Sequence, residues 1–290
     1  MTSISQIGVV GILPYESRSD RELGSIPLST LSWPGQCVPE GDTIADLNYL
    51  DCVVVFPSST RVLSFWPGLK CKVALLLTEP KAVHQKYYSL IWLLRFKFDL
   101  ILCRYTDICQ TYNNVVHFQP AEYWVKPEQV EACVEKDLAC SLIASAKNKL
   151  AGHKLRHQLV TWVKDEGIEC DVLGRGYRPF KDKADGLLPY SYSVVIENIE
   201  EPHYFSEKLL DTFICGTVPI YWGATNISDY FDPAGMVICN DLADLKNALQ
   251  RMQIPYSDMM KNAMVVNKDR ALSYASLEQR LVNVVRSSSS

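Results

Sequence analysis

Short apolar runs rich in β-branched residues recur along the first half of the chain, separated by polar loops and amphipathic segments. Runs of this kind are typical of strands buried on both faces of a parallel sheet. They predict strands at Gln6–Leu13, Cys52–Phe56, Lys72–Leu77, Leu100–Cys103 and Val115–Phe118. Between the third and fourth of these, helical spacing predicts a helix over His84–Phe96. Its buried face is expected to consist of Tyr87, Leu90, Ile91 and Leu94.

The alternation resumes near Ser141, after a charged connector over Lys126–Asp137 that is poor in apolar residues. The predicted strands of this second block are Ser141–Ala144, Cys170–Leu173, Ser193–Ile196, Val218–Tyr221 and Met236–Cys239. The predicted helices are Gly152–Lys164, Glu207–Cys215 and Asp241–Met252, followed by one helical tail over about Ser257–Val285.

Strands that alternate with helices form parallel sheets covered by helices on both faces. We therefore predict an α/β protein with two such sheets, one in each of two domains. The chain has 290 residues, of which 48% are hydrophobic, and this is enough for two domains of ordinary size. The expected boundaries are 1–137 for the first domain, 138–262 for the second and 263–290 for the helical tail.

Composition and charge exclude several classes of protein. A net charge of −4 offers no basic footprint of the kind that nucleic-acid binding leaves. No apolar stretch is as long as a membrane span, and the N-terminus lacks the basic region of a signal peptide. The ten cysteines form no CxxC pair, and several lie inside apolar runs, which favours free thiols in a reducing compartment. We therefore expect a cytoplasmic protein without a transmembrane segment, for which a peripheral contact with a membrane stays open.

The sequence also offers no evident metal or nicotinamide site. The five histidines lack metal-ligand spacing, and the glycines around Arg175 lack the third glycine of a dinucleotide fingerprint. No Asp-X-Asp motif is present to hold a divalent metal against a diphosphate. The nearest approximations are one residue too widely spaced, at Asp182 with Asp185 and at Asp229 with Asp232.

The stretch Tyr190–Gly223, YSYSVVIENIEEPHYFSEKLLDTFICGTVPIYWG, carries the most specific pattern in the chain. It predicts a buried strand, a polar loop, a helix and a second strand. Ser206 is a suitable helix N-cap, and Gly216 lies where a helix would end in a left-handed C-cap. Glu207 and Lys208 are therefore expected in the first turn of a helix, beyond the carboxyl end of a strand.

That position favours binding of an anionic ligand. In open α/β sheets ligands bind outside the carboxyl ends of the strands, and a helix N-terminus favours anions. The ammonium group of Lys208 suits a phosphate. The carboxylate of Glu207 suits a ribose, because it can accept hydrogen bonds from two neighbouring hydroxyls.

The same stretch resembles the donor-site pattern of the family 10 glycosyltransferases, the α-1,3/1,4-fucosyltransferases. The matching residues are Glu197, Asn198, Tyr204, Glu207, Lys208, Gly216, Val218, Pro219, Ile220, Tyr221, Trp222 and Gly223. The resemblance implies GT-B architecture, in which two Rossmann-like α/β/α domains face each other across a cleft. It also implies GDP-fucose as the donor and adds Glu197, Asn198 and Tyr204 to the donor-binding residues. Tyr221 and Trp222 fit packing within the sheet at least as well as contact with a sugar.

A basic residue near the start of the predicted helix Gly152–Lys164 would complete the donor site. Arg156 resembles the arginine with which the family reaches the nucleotide diphosphate, and a guanidinium can bind two phosphate oxygens at once. Lys154 is the main rival for this role. Both could instead belong to a basic helix surface.

Glu79 is the candidate catalytic base. It follows the predicted strand Lys72–Leu77 in the sequence LLLTEP, and it resembles the acceptor-domain glutamate that is proposed as the base in this family. It could instead cap the turn before the next helix. Glu40 and Asp51 are the alternative bases in the first block.

These features predict an inverting glycosyltransferase that moves fucose from GDP-fucose to a hydroxyl of a glycan or glycoconjugate acceptor. Divalent metal is not expected to be essential, since cationic side chains would stabilise the leaving diphosphate. Two alternatives remain open. One is a transferase of the same fold that uses a different nucleotide sugar, and the other is a non-catalytic protein that binds a nucleotide sugar.

Overall fold

In the computed structural model, residues 8–19, 22–58, 62, 64, 66–130 and 135–288 are described, and they divide into two compact units. The first unit comprises the described residues up to Pro120 together with those from Ser276 onward, and the second comprises those from Ala121 to Ala275. The division therefore lies earlier than the expected boundary at residue 137.

The described part of the first unit contains a five-stranded parallel sheet whose strands follow one another in chain order. The strands are β1 (Val10–Ile12), β2 (Cys52–Val55), β3 (Lys72–Leu76), β4 (Leu100–Cys103) and β5 (Val115–His117). The helices are α1 (Lys81–Ser89), α2 (Ile91–Leu94) and α3 (Thr106–Thr111). All five predicted strands are confirmed, and only Gln6 and Ile7 of the first one lie outside the described residues.

The single helix predicted over His84–Phe96 is wrong, because the chain breaks between α1 and α2. Leu90, at the break, has φ −97° and ψ 3° and is 37% exposed. Tyr87, Ile91 and Leu94 are buried as expected. The break turns Leu90 away from the face that these three residues share.

The second unit also contains a parallel sheet, with the strand order β10-β9-β8-β6-β7 among its described residues. The strands are β6 (Leu138–Ile143), β7 (Asp171–Leu173), β8 (Tyr190–Ile196), β9 (Val218–Trp222) and β10 (Val237–Ile238). The helices are α4 (Ala151–Asp165), α5 (Glu207–Ile214), α6 (Leu242–Gln250) and α7 (Asp258–Leu272). The predicted strands and the first three predicted helices are confirmed to within a few residues at their ends.

The strand order of this sheet determines where a ligand would bind. The chain runs from β6 to β7 on one side and then returns to place β8 on the other side of β6. The connections leaving β6 and β8 therefore diverge, and the carboxyl ends of these two strands form a topological switch point. In open α/β sheets this is the place where a crevice opens for ligands.

The helical tail differs from the prediction in its continuity. It forms two helices, α7 and α8 (Leu277–Ser287), because the chain turns at Ser276, which has φ +44°. The helix α7 belongs to the second unit and α8 to the first. Leu281, Val282 and Val285 of α8 pack on one face of the first sheet, while α1 and α2 cover the opposite face.

Candidate functional site

A cavity of about 410 Å³ lies at the switch point of the second sheet. Its walls come from the carboxyl ends of β6, β7 and β8 and from the first turn of α5. The residues that line it are Trp124, Ile143, Ala144, Ser145, Arg156, Gly174, Arg175, Phe180, Lys183, Leu187, Ser193, Val194, Val195, Ile196, Glu207, Lys208 and Thr212. The structure thus places Arg156, Glu207 and Lys208 around one cavity.

The helix that carries Glu207 and Lys208 begins and ends where the sequence predicts. Ser206 is the N-cap residue, and its hydroxyl accepts a hydrogen bond from the backbone N–H of Lys208. Gly216 follows the helix with φ +63°, a left-handed conformation that glycine adopts without strain. The first turn of α5 therefore opens at the cavity, with its N–H groups and the positive end of its dipole on that side.

A buried carboxylate fixes the start of this helix. Glu197, which directly follows β8, is fully buried. Its Oε1 accepts a hydrogen bond from the Ser206 backbone N–H at 2.8 Å, and its Oε2 accepts one from the Ser206 hydroxyl at 2.7 Å. Glu197 Oε2 also lies 3.5 Å from Lys208 Nζ. Glu197 therefore joins the end of β8 to the N-terminus of α5.

The ammonium group of Lys208 is surrounded by acceptors. Lys208 Nζ donates to the Ser206 hydroxyl and to Glu207 Oε1, both at 3.0 Å. Burial works against the charged form of Lys208, but the carboxylates of Glu197 and Glu207 outweigh it and raise the pKa of the ammonium above its ordinary value. Lys208 is therefore a cation at any physiological pH.

Glu207 is the anionic partner on the cavity wall. Burial acts to raise the pKa of Glu207, but the ammonium groups of Lys208 and Lys183 lower it below its ordinary value. Lys183 Nζ lies 3.9 Å from Glu207 Oε1. Glu207 thus presents an ionised carboxylate, which can accept hydrogen bonds from the hydroxyl groups of a ligand.

Arg156 is held from behind by the end of β8 and the loop that follows it. Its Nε donates to the carbonyl of Ile196 at 3.1 Å, and its Nη2 donates to the side-chain oxygen of Asn198 at 2.8 Å. Burial lowers the pKa of the guanidinium, while Glu197 and Glu207 act in the opposite direction. An arginine pKa is so high that the group stays charged, and two bonds to protein acceptors leave further N–H groups for a ligand.

Close backbone packing allows α4 to bring Arg156 to this position. The backbone N–H of Gly152 donates to the Asn198 carbonyl at 3.0 Å. A Cβ atom on Gly152 would lie only 1.8 Å from the Glu197 carbonyl oxygen. A side chain at this position would therefore push α4 away from the loop that holds the arginine.

Lys154, the rival of Arg156, is not part of this cavity. It is exposed and lines a separate depression with His157 and Tyr177. Residues two positions apart on a helix are separated by roughly 200° around its axis. Lys154 and Arg156 therefore point to different sides of α4. The structure therefore places Arg156, and not Lys154, on the wall of this cavity, and the role of each in donor binding stays a prediction.

Three residues of the predicted donor set are absent from the described residues that line the cavity. Glu197 and Asn198 hold Lys208 and Arg156, as described above. Tyr204 is 8% exposed, and its backbone carbonyl lies 3.5 Å from the hydroxyl of Tyr221. The motif thus contains residues that position the wall as well as residues that form it.

The second strand of the motif packs inside the protein. Tyr221 is fully buried, and its hydroxyl accepts a hydrogen bond from the Ala224 N–H at 2.8 Å. Trp222 is 6% exposed and donates from Nε1 to the Asn240 carbonyl at 3.1 Å. A Cβ atom on Gly223 would lie 2.5 Å from the Tyr221 hydroxyl. Packing, and not contact with a sugar, explains these three residues.

Sequence reasoning missed several residues of the wall. Trp124, Arg175, Phe180 and Lys183 all line the cavity but lie outside the motif. Arg175 follows a tightly packed glycine: Gly174 has φ +113°, and a Cβ atom there would lie 2.0 Å from the Ala144 carbonyl oxygen. The others reach the cavity through tertiary contacts that leave no pattern in the sequence.

Glu79 lies in the first unit, at the carboxyl end of β3 as predicted. It is partly buried, and its backbone carbonyl accepts a hydrogen bond from the Tyr88 hydroxyl at 3.0 Å. The guanidinium of Arg104 donates to the carbonyl of the preceding residue, Thr78. Its role as a base stays a prediction.

The two alternative bases differ in their surroundings. Asp51 is 4% exposed, and its carboxylate accepts hydrogen bonds from the backbone N–H groups of Val9 and Asn48 at 3.1 and 2.9 Å. Glu40 is exposed. The carboxylate of Asp51 is thus held by the backbone around it, and the choice among the three candidate bases stays a prediction.

Within the described ranges, no helix is long and apolar enough to cross a membrane. The same residues contain no group of three or more histidine, cysteine, aspartate or glutamate side chains that could hold a metal ion. The requirement for metal therefore stays a matter for experiment.

Two curated proteins are similar to part of this chain. The alpha-(1,3)-fucosyltransferase FucT of Helicobacter pylori is 31% identical over 83 residues, which cover 29% of this chain and 17% of that protein. A fucosyltransferase-like protein of Arabidopsis thaliana is 26% identical over 144 residues, which cover 48% of this chain and 27% of that protein. The alignments therefore span less than a third of either relative, and no family model matches the chain. They confirm the resemblance to family 10 fucosyltransferases.

Solved structures share the fold. An α,α-trehalose-phosphate synthase (UDP-forming) from Burkholderia vietnamiensis has a TM-score of 0.54 at 10% identity, over 82% of this chain and 72% of the other. The predicted fold class, GT-B architecture with two α/β units built on parallel sheets, is confirmed. At this identity the likeness concerns the fold alone.

Proposed function

We propose that this protein is an inverting glycosyltransferase that moves fucose from GDP-fucose to a hydroxyl of a glycan acceptor. The observation that carries the proposal is the wall of the second-unit cavity, where Arg156, Glu207 and Lys208 meet at the switch point of a parallel sheet. Two cations beside a helix N-terminus suit a diphosphate. A carboxylate next to them suits the ribose of the same nucleotide.

The hydrogen bonds that these side chains make within the protein support this division of roles. Lys208 donates a hydrogen bond to Glu207, so each group satisfies part of the hydrogen-bonding capacity of the other. When ribose hydroxyls donate to Glu207, the ammonium of Lys208 becomes available to a phosphate oxygen. Arg156 is already fixed through its Nε and one Nη atom, and its remaining N–H groups would bind the second phosphate.

The proposed transfer step is a direct displacement at the anomeric carbon of the donor sugar. The acceptor oxygen forms a bond to that carbon as the bond to the diphosphate oxygen breaks, and the electron pair leaves with the diphosphate. Lys208, Arg156 and the dipole of α5 stabilise the growing negative charge. Glu79 of the first unit takes the proton of the acceptor hydroxyl.

The identity of the donor rests on the resemblance. The named relatives are fucosyltransferases or fucosyltransferase-like, and the residues of the motif fit a nucleoside diphosphate without distinguishing its sugar. The proposed acceptor is a growing surface glycan or a lipid-linked saccharide.

Calorimetric titration with GDP tests the donor site. Arg156→Ala and Lys208→Ala should each weaken GDP binding by about 1.5–3 kcal/mol, the usual contribution of a hydrogen bond to a charged group. Lys154→Ala is the matched control, because it removes a cation from the other side of the same helix, and it should bind GDP as the unmodified protein does. A normal circular dichroism spectrum would show that each variant is folded.

The outcomes separate the proposal from its alternatives. Unchanged GDP affinity in both folded variants would overturn the assigned site. Tight binding of UDP in place of GDP would indicate a transferase with a different donor. GDP-fucose binding without transfer to any of a broad set of saccharides would indicate a non-catalytic protein.

A further inference from the structure

We propose that the indole ring of Trp124 is the stacking platform for the nucleobase of the donor. This inference rests on the proposed function, because it names a residue that binds part of the nucleotide. Trp124 lies outside the sequence motif, yet it lines the same cavity as Arg156, Glu207 and Lys208.

The backbone of Trp124 is fixed while its side chain is open to solvent. The N–H groups of Trp124 and Val125 donate to Asp211 Oδ1 at 2.7 and 3.0 Å. Asp211 is fully buried and belongs to α5, the helix that begins with Glu207 and Lys208. Trp124 itself is 69% exposed. A large aromatic ring is thus held at the cavity by the donor-site helix itself.

Lys183 connects this ring to the proposed ribose site. Lys183 Nζ lies 2.6 Å from Asp211 Oδ2 and 3.9 Å from Glu207 Oε1. The same atom lies 4.9 Å from the centre of the Trp124 ring, within the range of a cation–π contact. One ammonium group therefore joins the indole to the carboxylate that would bind the ribose.

The chemistry of a nucleotide fits this spacing. Its base is attached directly to the ribose, so a ribose on Glu207 brings the base to the neighbouring wall, where Trp124 lies. Every base has a π-face, and stacking of a base on an aromatic side chain stabilises binding without reading its identity. A sugar of the acceptor could also stack on an exposed tryptophan. The connection through Asp211 and Lys183 to Glu207 favours the base.

The test compares GDP with pyrophosphate, which carries no base. Trp124→Ala should weaken GDP binding roughly 5- to 150-fold, the effect of losing one base–aromatic stack, and leave pyrophosphate binding unchanged. Trp124→Phe, which keeps a smaller aromatic face, should bind GDP with intermediate affinity. The matched control is Trp92→Ala, since Trp92 is also exposed but belongs to the first unit. It should leave both affinities unchanged.

Fluorescence provides a second readout. GDP should quench part of the tryptophan emission of the unmodified protein, and this change should disappear in Trp124→Phe and persist in Trp92→Phe. Equal GDP affinity in Trp124→Ala and the unmodified protein would overturn the inference, as would a raised KM for the acceptor alone. If the unmodified protein binds neither GDP nor pyrophosphate, it is the proposed function that fails.

Discussion

The buried pair formed by Glu197 and Lys208 should couple the stability of the second unit to its donor site. Glu197→Gln keeps the size of the side chain but removes the charge that faces Lys208 Nζ at 3.5 Å. It also replaces one of the two carboxylate oxygens, which accept hydrogen bonds from the N–H and the hydroxyl of Ser206, with an NH2 group that cannot accept. Lys208→Met removes the cation instead, and the double variant removes both charges.

The magnitude follows from the burial of the carboxylate. Removing one member of a buried ion pair typically costs about 3–5 kcal/mol, because the other charge is left without compensation. For a unit of this size, each kcal/mol corresponds to about 2–4 °C in melting temperature. Lys208→Met, which leaves the fully buried Glu197 without its cation, should therefore melt about 6–20 °C lower. Glu197→Gln should lose less, because Lys208 keeps its ion pair with Glu207 at 3.0 Å. The double variant leaves no unpaired charge, so its loss should be smaller than the two single losses added together by about 1–3 kcal/mol.

The assay is urea unfolding of the unmodified protein, the two single variants and the double variant at one pH. The control cycle uses Lys261→Met and Asp258→Asn, which break an exposed pair whose atoms lie 3.3 Å apart. This pair should show no measurable coupling, because solvent screens exposed charges. Additivity of the Glu197 and Lys208 losses to within about 0.5 kcal/mol would refute the view that the two charges compensate each other.

Two predictions concern turnover. Glu79→Gln should lower transfer about 10²–10⁴-fold, the usual contribution of a positioned base, and leave GDP affinity unchanged. Glu40→Gln tests the exposed alternative base in the same assay and should keep normal turnover. Normal turnover by Glu79→Gln would move the base elsewhere. Transfer should also persist in excess EDTA, because Arg156 and Lys208 supply the positive charge at the diphosphate. Complete loss of turnover in EDTA, restored by manganese, would contradict this expectation.

The sequence predicted those parts of the molecule that depend on local patterns. Buried parallel strands show as apolar runs, and a helix start shows as a capping residue, so the strands of both sheets and the bounds of α5 could be predicted closely. Glu207 and Lys208, two predicted site residues that line the cavity, belong to one such start. Their position at the cavity follows directly from the strand that precedes them.

Long-range contacts account for what the sequence did not predict. Trp124 and Lys183 meet at Asp211, and Trp124 is 87 residues from that aspartate along the chain. No local periodicity records such a contact. The break at Leu90 could not be predicted for a related reason. An apolar residue at a helical position fits the helical pattern whether or not the helix continues through it. Packing decides between the two.

The return of α8 to the first unit means that the two units are not completed in the order in which they begin along the chain. Leu281, Val282 and Val285 cover one face of the first sheet, yet they follow the whole second unit in the sequence. During synthesis, β1 to β5 therefore leave the ribosome long before the helix that covers this face. The second unit, whose described residues are continuous in the chain apart from 131–134, has all of its own strands and helices by Ala275. The first unit therefore receives the cover that α8 gives to this face only after the second unit has been made.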